Sequence, residues 1–502
     1  MSLLIALDIG TSTIKIALFA ENGHLLALVS RESPIFSDGI HVEHDALACW
    51  DLVTEGIREV ILTAEVGPDE VQGISVASQG QTFLPIDAGG NPLTRAIVWL
   101  DQRAVEERDE TVGFFGREEI YRHTGLPTLT PGNTSSALLW LHKNKPEIYI
   151  NAHKFLHISD YIIYRFTNRF VAEVPIYSCM GIYDLALGGW WSAMLDFIEL
   201  SADKLPDLIE AGVEVGKLTP AAAQQTGLSE DTSVVSGTLD VSATVLGSNT
   251  LSDKQLALSL GTTMQTNLTM KQFKISPNRF LVWYFKHILP QAYVGVLWRE
   301  TAGYTLRWSR DVFYTQEMRC AHPHEQNVYD LMTEDAAKVP PGSAGLLVLP
   351  HLQGTQIPES CPGFKGIFFG VAPAHQREHF VRAIMEGVGY SLRENLEVYA
   401  DLGWNCEEIW ATGGGAKSRL WNQINADITG RPQYLLQCNE AASLGAAILA
   451  SIGTGIHSNV FEACDRMVTP TGVIQPDPDN QGVYEAGYRL YQQVYQRSKD
   501  LF

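Results

Sequence analysis

The chain has 502 residues, 45% of them hydrophobic and 19% charged, which is enough for two or three domains that each bury a core. Its formal net charge of −21 disfavours nucleic acid and anionic membranes as partners, because an acidic surface repels both. The seven cysteines are scattered without a C-x-x-C pair, which favours reduced thiols in a cytoplasmic protein over a zinc or disulfide framework. Neither a signal peptide nor a membrane-spanning run is predicted.

The first predicted element is a β-hairpin whose turn carries Asp8, Gly10, Thr11, Ser12 and Thr13. Gly10 allows backbone N–H groups to approach an oxyanion, and the three hydroxyls add donors, so the turn has the chemistry of a phosphate cradle. A buried Asp8 needs a positive partner, and a phosphate-bound Mg²⁺ held through water would provide one. A plain hairpin with a polar turn is the alternative.

The next predicted features are a helix from Ala46 to about Thr63 and a polar loop, Gln79-Gly80-Gln81, between two strands. Residues 97–103 are predicted to form a strand in which Trp99 and Asp101 share one face, followed by Arg103. An aromatic ring beside a carboxylate and a guanidinium suits a polyhydroxylated ligand. An edge strand that ends in a surface ion pair is the alternative.

Asp240 follows a Gly-Thr turn and precedes a short predicted helix of small residues, where it could also serve as a helix cap. The polar stretch Ser248–Lys254 comes next, and we place the lobe boundary there. The predicted domains are therefore residues 1–247 and residues 248–502.

The second half opens with another strand, a turn of Gly261, Thr262 and Thr263, and a second strand. Two such turns, one in each half, are typical of the actin-like ATPase architecture. We therefore predict an α/β fold of two actin-like (ribonuclease H-like) lobes with a cleft between them.

Later in the chain, apolar residues recur every three or four positions from Phe380 to Tyr399, which predicts a long buried helix. A strand then runs into the glycine loop Gly413–Ser418 and a helix, Arg419–Thr429, whose start favours anions. His375 to His379 also fits the H-x-x-E-H zinc-peptidase pattern, which has few fixed positions and is disfavoured here.

Together these motifs resemble the FGGY family of carbohydrate kinases over nearly the whole chain. The matching segments are Asp8–Thr11, Gly237–Asp240, Ser259–Thr263, Gly366–Val371 with His379-Phe380 and Ala383–Glu386, and Gly413–Ser418. The family's earlier signature differs at one position, because Ala137 stands where a lysine is usual.

The resemblance implies ATP- and Mg²⁺-dependent phosphorylation of a sugar hydroxyl, with Asp240 as general base and Asp8 orienting Mg²⁺ through water. The first lobe would hold the sugar, the first phosphate motif and Asp240, and the second lobe would hold ATP. The implied nucleotide and phosphate contacts are Asp8, Gly10, Thr11, Ser12, Thr13, Gly261, Thr262, Thr263, Gly414, Gly415, Ala416 and Ser418. The implied sugar contacts are Gln79, Gly80, Gln81, Trp99, Asp101, Arg103 and Asp240.

Gly80 and Gln81 narrow the range of possible sugar acceptors. At these two positions glycerol kinases carry Arg-Glu and xylulokinases carry Met-His. A neutral amide at position 81 suits a neutral ketose or polyol better than an acid. We expect a pentulose or related ketose such as xylulose. The alternatives are another acceptor (erythritol, glycerol or gluconate), an actin-like ATPase switch without kinase activity, or a catalytically silent sugar sensor. The sequence leaves a homodimer open.

Overall fold

The computed structural model describes residues 2–275, 280–320 and 327–502, with the side chain of Cys320 outside this description. The chain forms two compact units, each described here by itself. Unit 1 consists of residues 1–251, 269–295 and 440–469, and unit 2 consists of residues 252–268, 296–439 and 470–502. Two late segments of the chain therefore belong to the unit that the first half begins.

The strands are, in chain order, β1 (Leu3–Ile9), β2 (Thr13–Ala20), β3 (Leu25–Glu32), β4 (Ile35–Ser37), β5 (Val42–His44), β6 (Val71–Ser78), β7 (Phe83–Ile86), β8 (Ala96–Ile97), β9 (Lys154–His157), β10 (Val171–Glu173), β11 (Tyr183–Asp184), β12 (Gly189–Trp190), β13 (Asp207–Ile209), β14 (Glu214–Lys217), β15 (Ser233–Val235), β16 (Thr238–Leu239), β17 (Gln255–Leu260), β18 (Met264–Met270), β19 (Trp283–Lys286), β20 (Tyr293–Arg299), β21 (Leu347–Leu349), β22 (Ile367–Phe369), β23 (Glu408–Thr412), β24 (Gln433–Leu436) and β25 (Pro470–Ile474).

The α-helices are α1 (Ala46–Ala64), α2 (Val105–Phe115), α3 (Arg117–Thr124), α4 (Thr134–Asn144), α5 (Pro146–Asn151), α6 (Ile158–Thr167), α7 (Val174–Tyr177), α8 (Ser192–Phe197), α9 (Pro220–Thr226), α10 (Asp240–Gly247), α11 (Gly303–Phe313), α12 (Thr315–Cys320), α13 (Val328–Ala337), α14 (Arg377–Asp401), α15 (Arg419–Thr429), α16 (Ala441–Gly453), α17 (Val460–Met467) and α18 (Gln481–Ser498). None of the helices within the described ranges is both long and apolar enough to cross a membrane.

Unit 1 is built on a mixed sheet with the order β14-β15-β6-β1-β2-β3, to which β16 adds by pairing with β6. The β1–β2 hairpin is antiparallel, and β1 pairs in parallel with β6. Every residue of β1 is buried, as expected for a central strand covered on both faces. Helices α1 and α16 pack against this sheet.

Helix α1 shows why the sequence folds this way locally. Asp45 caps its start, since the carboxylate accepts hydrogen bonds from the backbone N–H groups of Leu47 and Ala48. Trp50, Val53 and other residues three or four positions apart are buried on one face. The predicted helix over residues 46–63 is therefore confirmed.

Unit 2 is built on a sheet that repeats this plan, with the order β20-β18-β17-β23-β24-β25. Again an antiparallel hairpin, β17–β18, has its first strand paired in parallel with a later strand, β23. In both units the sheet then continues with one more parallel strand and an antiparallel one. The predicted pair of similar α/β lobes is confirmed by this repeated topology.

The long buried helix predicted from Phe380 to Tyr399 is α14, which contacts α11, α13, α15 and β21 in unit 2. The strand predicted over residues 97–103 is wrong, because β8 ends at Ile97. The backbone N–H of Asp101 donates to the carbonyl of Val98 at 2.9 Å, so the chain turns there. Side-chain hydrogen bonds that the sequence pattern does not reveal, described below, hold this turn.

Candidate active site

The first turn of unit 1 lies at the carboxyl end of β1. The backbone N–H of Gly10 donates to the carbonyl of Thr13 at 3.0 Å, and a Cβ at Gly10 would lie 2.8 Å from that carbonyl oxygen. The side chain of Ser12 is exposed, whereas Thr11 and Thr13 are half-buried. The turn is therefore tight at Gly10 and keeps hydroxyl groups within reach of solvent, as a phosphate cradle requires.

Thr11 links this turn to two other predicted site residues. Its hydroxyl donates to Gln79 Oε1 at 2.6 Å and accepts from Trp99 Nε1 at 2.8 Å. Gln79 in turn begins its loop with a backbone N–H bond to the carbonyl of Ile9 at the end of β1. The structure thus brings the predicted phosphate turn, amide loop and tryptophan into one hydrogen-bonded group within unit 1.

Asp240 begins α10 in the same unit. Its carboxylate accepts from the backbone N–H of Val241 at 2.7 Å. Burial and the nearby charge of Asp8 raise the pKa of Asp240 to about 7. Burial likewise raises the pKa of Asp8 to about 6, partly offset by the charge of Lys15. The predicted base Asp240 and Asp8, predicted to orient Mg²⁺, therefore lie close enough for their charges to interact.

Lys15 and Glu440 were not predicted from the sequence. With Asp8 and Asp240 they form an acidic cluster of three carboxylates and one ammonium group. Lys15 Nζ lies 2.8 Å from Glu440 Oε2 and 3.8 Å from Asp8 Oδ2. Glu440 directly precedes α16, and its charge raises the pKa of Asp8. A glutamate just before a helix of small residues was the available signal, but nothing local connects it to residue 15.

The cluster fits a magnesium ion carried by phosphate. It has more carboxylates than cations, and carboxylate oxygens are ligands that Mg²⁺ accepts. Across residues 2–275, 280–320 and 327–502, no group of three or more His, Cys, Asp or Glu side chains is placed to hold a metal alone. The residues therefore suit contact with the ion through water and phosphate better than a protein-only metal cage.

The loop after Gln79 is shaped by Cys179. A Cβ at Gly80 would lie 2.6 Å from Cys179 Sγ, and Gln81 adopts a left-handed backbone conformation with φ of 60°. Burial, with a smaller contribution from the charge of Asp240, raises the pKa of the Cys179 thiol to about 12. Cys179 therefore occupies the space beside the loop, which explains why position 80 carries no side chain. Cys179 was not predicted to be a site residue.

Asp101 and Arg103, predicted to contact the sugar, form hydrogen bonds and an ion pair with each other. Asp101 is fully buried and accepts from the backbone N–H groups of Val42 and Arg103 at 2.6 and 2.9 Å. Arg103 also donates to Asp101 at 2.8 Å, donates to Glu43 at 2.8 Å and lies over the ring of Trp140. The ion pair that we considered as an alternative is therefore present, and it is buried rather than superficial.

The second turn lies in unit 2, where backbone hydrogen bonds from the N-terminus of α11 stabilise it. The backbone N–H of Gly303 donates to the carbonyl of Gly261 at 3.0 Å, and those of Ala302 and Tyr304 donate to Thr262. A Cβ at Gly303 would lie 2.4 Å from the Gly261 oxygen. Thr262 and Thr263 stay exposed. Gly303 was not predicted, although a glycine at the start of an amphipathic helix was a usable signal.

The glycine loop lies beside this second turn in unit 2. Gly413 has φ of 82°, and a Cβ at Gly415 would lie 2.6 Å from the Leu260 side chain. Gly414 has no atom within 4 Å of its Cβ position, which leaves an open face for a flat ligand. Ser418 caps α15 by accepting from the Trp421 N–H, while Ala416 is buried. The predicted nucleotide loop and phosphate turn therefore adjoin within one unit.

The two histidines of the H-x-x-E-H pattern serve as backbone acceptors. His375 Nδ1 accepts from the N–H of Ala372 at 3.0 Å, and His379 Nδ1 accepts from that of Gln376 at 3.2 Å. Both interactions lie at the start of α14. This arrangement explains the pattern as helix capping.

The fold and the site together identify the class to which this protein belongs. Each unit carries the same sheet plan with a Gly-Thr turn after its first hairpin strand, which is the arrangement of actin-like, ribonuclease H-like phosphotransferases. The model of the FGGY family of carbohydrate kinases, N-terminal domain, matches residues 3–247, and that of the C-terminal domain matches residues 256–454. The chain belongs to the FGGY family of carbohydrate kinases.

Similar proteins agree with this assignment. Xylulose kinase of Bacillus subtilis is 28% identical over 504 residues, covering 100% of this chain and 98% of the relative. Autoinducer-2 kinase of Klebsiella pneumoniae is 30% identical over 508 residues, covering 99% and 94%. The structure of xylulose kinase from Rhodospirillum rubrum matches with a TM-score of 0.88 at 25% identity, covering 99% of each chain. The chain is thus an enzyme that transfers a phosphoryl group to a carbohydrate hydroxyl, and kinases of this family use ATP with a divalent metal.

Proposed function

We propose that this enzyme phosphorylates a hydroxyl of a pentulose or related ketose such as xylulose, with Asp240 as the general base. The observation that carries the proposal is the pair of neighbouring carboxyls, in which burial and Asp8 raise the pKa of Asp240 to about 7. A base whose pKa lies near the working pH is ionised in a substantial fraction of the molecules, and its ionised form can accept a hydroxyl proton. Such a proton acceptor distinguishes a kinase from a nucleotide-binding switch.

The remaining site residues would bind and orient the two substrates. Asp8 would hold water bound to Mg²⁺, and the ion when bound would neutralise charge on the phosphates. The backbone and hydroxyls of the two Gly-Thr turns would donate to phosphate oxygens, and Gly414, Gly415, Ala416 and Ser418 would line the nucleotide. Gln79, Gly80, Gln81 and Trp99 would shape the acceptor pocket, while Asp101 and Arg103 would hold the Trp99 turn rather than the sugar.

The choice of a ketose rests on two observations. Relatives named xylulose kinase match nearly the full length of this chain. Gln81, whose backbone contacts Cys179, carries a neutral amide and offers no positive charge to a sugar acid. A neutral acceptor therefore suits the pocket better than gluconate.

A second acceptor follows from the relatives named autoinducer-2 kinase, which match at 28–30% identity. Autoinducer-2 therefore belongs in the same test as xylulose. Erythritol, glycerol and gluconate remain the other acceptors to compare, since a gluconokinase is also among the relatives.

The test is Mg·ATP consumption by the purified protein with each acceptor, read against a blank without acceptor and against Asp240→Asn. Strong stimulation by xylulose or another ketose, lost in Asp240→Asn, is the expected result. Stimulation by gluconate alone would overturn the ketose proposal. ATP turnover that no acceptor changes would favour the ATPase switch, and ATP binding without turnover would favour a sensor.

We also propose that the enzyme acts in the cytoplasm on a small molecule, without nucleic acid or membrane partners. The net charge of −21 and the buried Cys49, Cys179 and Cys464 thiols support this. A homodimer stays an expectation, which light scattering on the purified protein measures directly.

A further inference from the structure

Two buried carboxyl groups lie behind the strand that leads to Asp240. Asp160 is on α6 and Glu173 ends β10, and both side chains have no exposed surface. Burial and, next, the charge of Glu173 raise the pKa of Asp160 well above its usual range. Burial raises the pKa of Glu173 to about 7.

One oxygen of each carboxyl is fully engaged. Asp160 Oδ2 accepts from the backbone N–H of His157 at 2.9 Å and from the hydroxyl of Tyr177 at 2.7 Å. Glu173 Oε1 accepts from the backbone N–H of Gly237 at 2.7 Å. The other oxygens, Asp160 Oδ1 and Glu173 Oε2, are buried without a hydrogen-bond partner among the described residues. Two interacting carboxyls that each keep one oxygen without a protein partner among the described residues match a single proton held between them.

The surrounding groups do not neutralise the pair. His157 and Tyr177 are the titratable side chains packed against it, and burial lowers the pKa of His157 to about 3, so the imidazole is uncharged. Within the described residues, neither carboxyl has a lysine or arginine ion-pair partner. Two ionised carboxylates in such a site would be strongly destabilising, whereas one shared proton leaves a single charge that three donors stabilise.

Glu173 connects this pair to the site. Gly237 lies three residues before Asp240, and a Cβ on it would lie 1.7 Å from the carbonyl oxygen of Val76. The following strand β16 pairs with the end of β6, next to Gln79. The Glu173 carboxylate therefore fixes the backbone between β15 and β16, where the chain lies close against β6, three residues before Asp240.

We propose that Asp160 and Glu173 share one proton and act as a positioning pair that fixes Gly237 and thereby the proposed base Asp240. For its effect on catalysis this inference rests on the proposed function, whereas the shared proton itself is measurable without activity. The pair does not contact the substrate, so both are positioning residues.

The first test is difference infrared spectroscopy near neutral pH, comparing the wild type with Asp160→Asn and with Glu173→Gln. Each variant should lose the C=O band of one protonated carboxyl, because each new amide donates the hydrogen bond that the shared proton made. The lost band should shift in D₂O, as the band of a protonated carboxyl does. Asp335→Asn is the control, since Asp335 is buried and accepts from Tyr314 but is held ionised by Lys338, which helps lower its pKa. Absence of a carboxyl band in both differences would overturn the shared proton.

The second test is steady-state kinetics on variants that fold, as judged by circular dichroism. Glu173→Leu removes the acceptor of the Gly237 N–H and should lower kcat about 10²-fold while the KM for ATP changes little. Glu173→Gln should restore most of the lost kcat. The double variant Asp160→Asn with Glu173→Gln places two amide NH₂ groups against each other, so its kcat should fall below that of either single variant.

The kinetic outcomes separate the two proposals. Equal kcat values in Glu173→Gln and Glu173→Leu, or a double variant no worse than the singles, would overturn the positioning role. Full kcat in Asp240→Asn would instead overturn the general base and leave the infrared result standing. If Glu173→Leu fails to fold, the comparison of single and double amide variants still decides the inference.

Discussion

Asp240 gains its chemistry from its surroundings rather than from its identity. In the folded enzyme burial and Asp8 move its pKa from 3.8 to about 7, a range in which a carboxylate can accept a hydroxyl proton efficiently. Lys15, the nearby cation of this cluster, is engaged by Glu440 at 2.8 Å.

Replacing Asp240 with asparagine removes the proposed proton acceptor but keeps the size of the side chain and its hydrogen bond from Val241. We expect kcat to fall by about 10²- to 10⁴-fold, since this is the usual contribution of a general base. ATP binding measured by calorimetry should change little. Asp231→Asn, at an exposed position, is the matched control, and an unchanged kcat in Asp240→Asn would remove it from the mechanism.

The same substitution should alter stability with pH. Because the folded pKa of Asp240 is about 7 and its ordinary value is 3.8, the folded state binds this proton more tightly than the unfolded state. The stabilisation from that proton is present at low pH and is lost as pH rises through the folded pKa. Urea unfolding should therefore show Asp240→Asn gaining stability over the wild type from about pH 5 to about pH 8. A difference that stays constant over this range would contradict the raised pKa.

At the scale of elements, the close contact between α10 and α16 holds Asp240 in unit 1. A Cβ at Gly445 would lie 2.0 Å from the carbonyl oxygen of Ala243, and one at Gly247 would lie 1.9 Å from that of Ala441. Backbone atoms cannot yield as a flexible side chain can. The glycines therefore allow the two helices to approach, and Glu440 at the start of α16 reaches Lys15 as a result.

Gly445→Ala should force these helices apart. We expect a loss of about 1–3 kcal/mol in the free energy of unfolding, as for other overpacked contacts, together with a reduced kcat. Gly482→Ala in α18 is the matched control, because that position has no atom within 4 Å, and it should be neutral or slightly stabilising. Denaturant unfolding of both variants measures the difference, and equal stabilities would show that the helices relax freely.

At the scale of the whole molecule, the same sheet plan and Gly-Thr turn occur in both units. Unit 2 carries the second turn beside the glycine loop, whereas unit 1 carries Asp240, Gln79 and Trp99. The duplication gives each unit its own Gly-Thr turn. The proposed division of labour, with nucleotide on the later half and acceptor on the earlier half, follows from these neighbours.

Hydrogen exchange read by mass spectrometry can test that division. A non-hydrolysable ATP analogue with Mg²⁺ should slow exchange at Gly261–Thr263 and Gly413–Ser418, because ligand contacts protect local backbone amides. The acceptor alone should slow exchange at Gln79–Gln81 and around Asp240. Peptides from α18 serve as the internal control. Protection of the glycine loop by the acceptor alone would contradict the assignment.

The sequence by itself determined the elements that depend on neighbouring residues. Periodic apolar residues predicted α1 and α14, and the two Gly-Thr turns between apolar runs predicted the paired lobes, since these patterns reflect local geometry. The same local patterns carried the family resemblance. The repeated sheet order and the FGGY family match confirmed both predictions.

Only the tertiary structure decided which side chains share a site. Lys15 and Glu440 are 425 positions apart, and Asp101 turned out to be buried against Val42 and Arg103 rather than aligned with Trp99 on a strand. Such contacts depend on long-range packing and on the burial of charge, neither of which leaves a periodic signal in the sequence. The raised pKa of Asp240 and the carboxyl pair of Asp160 and Glu173 arise from the same cause, because desolvation exists only once the chain has folded.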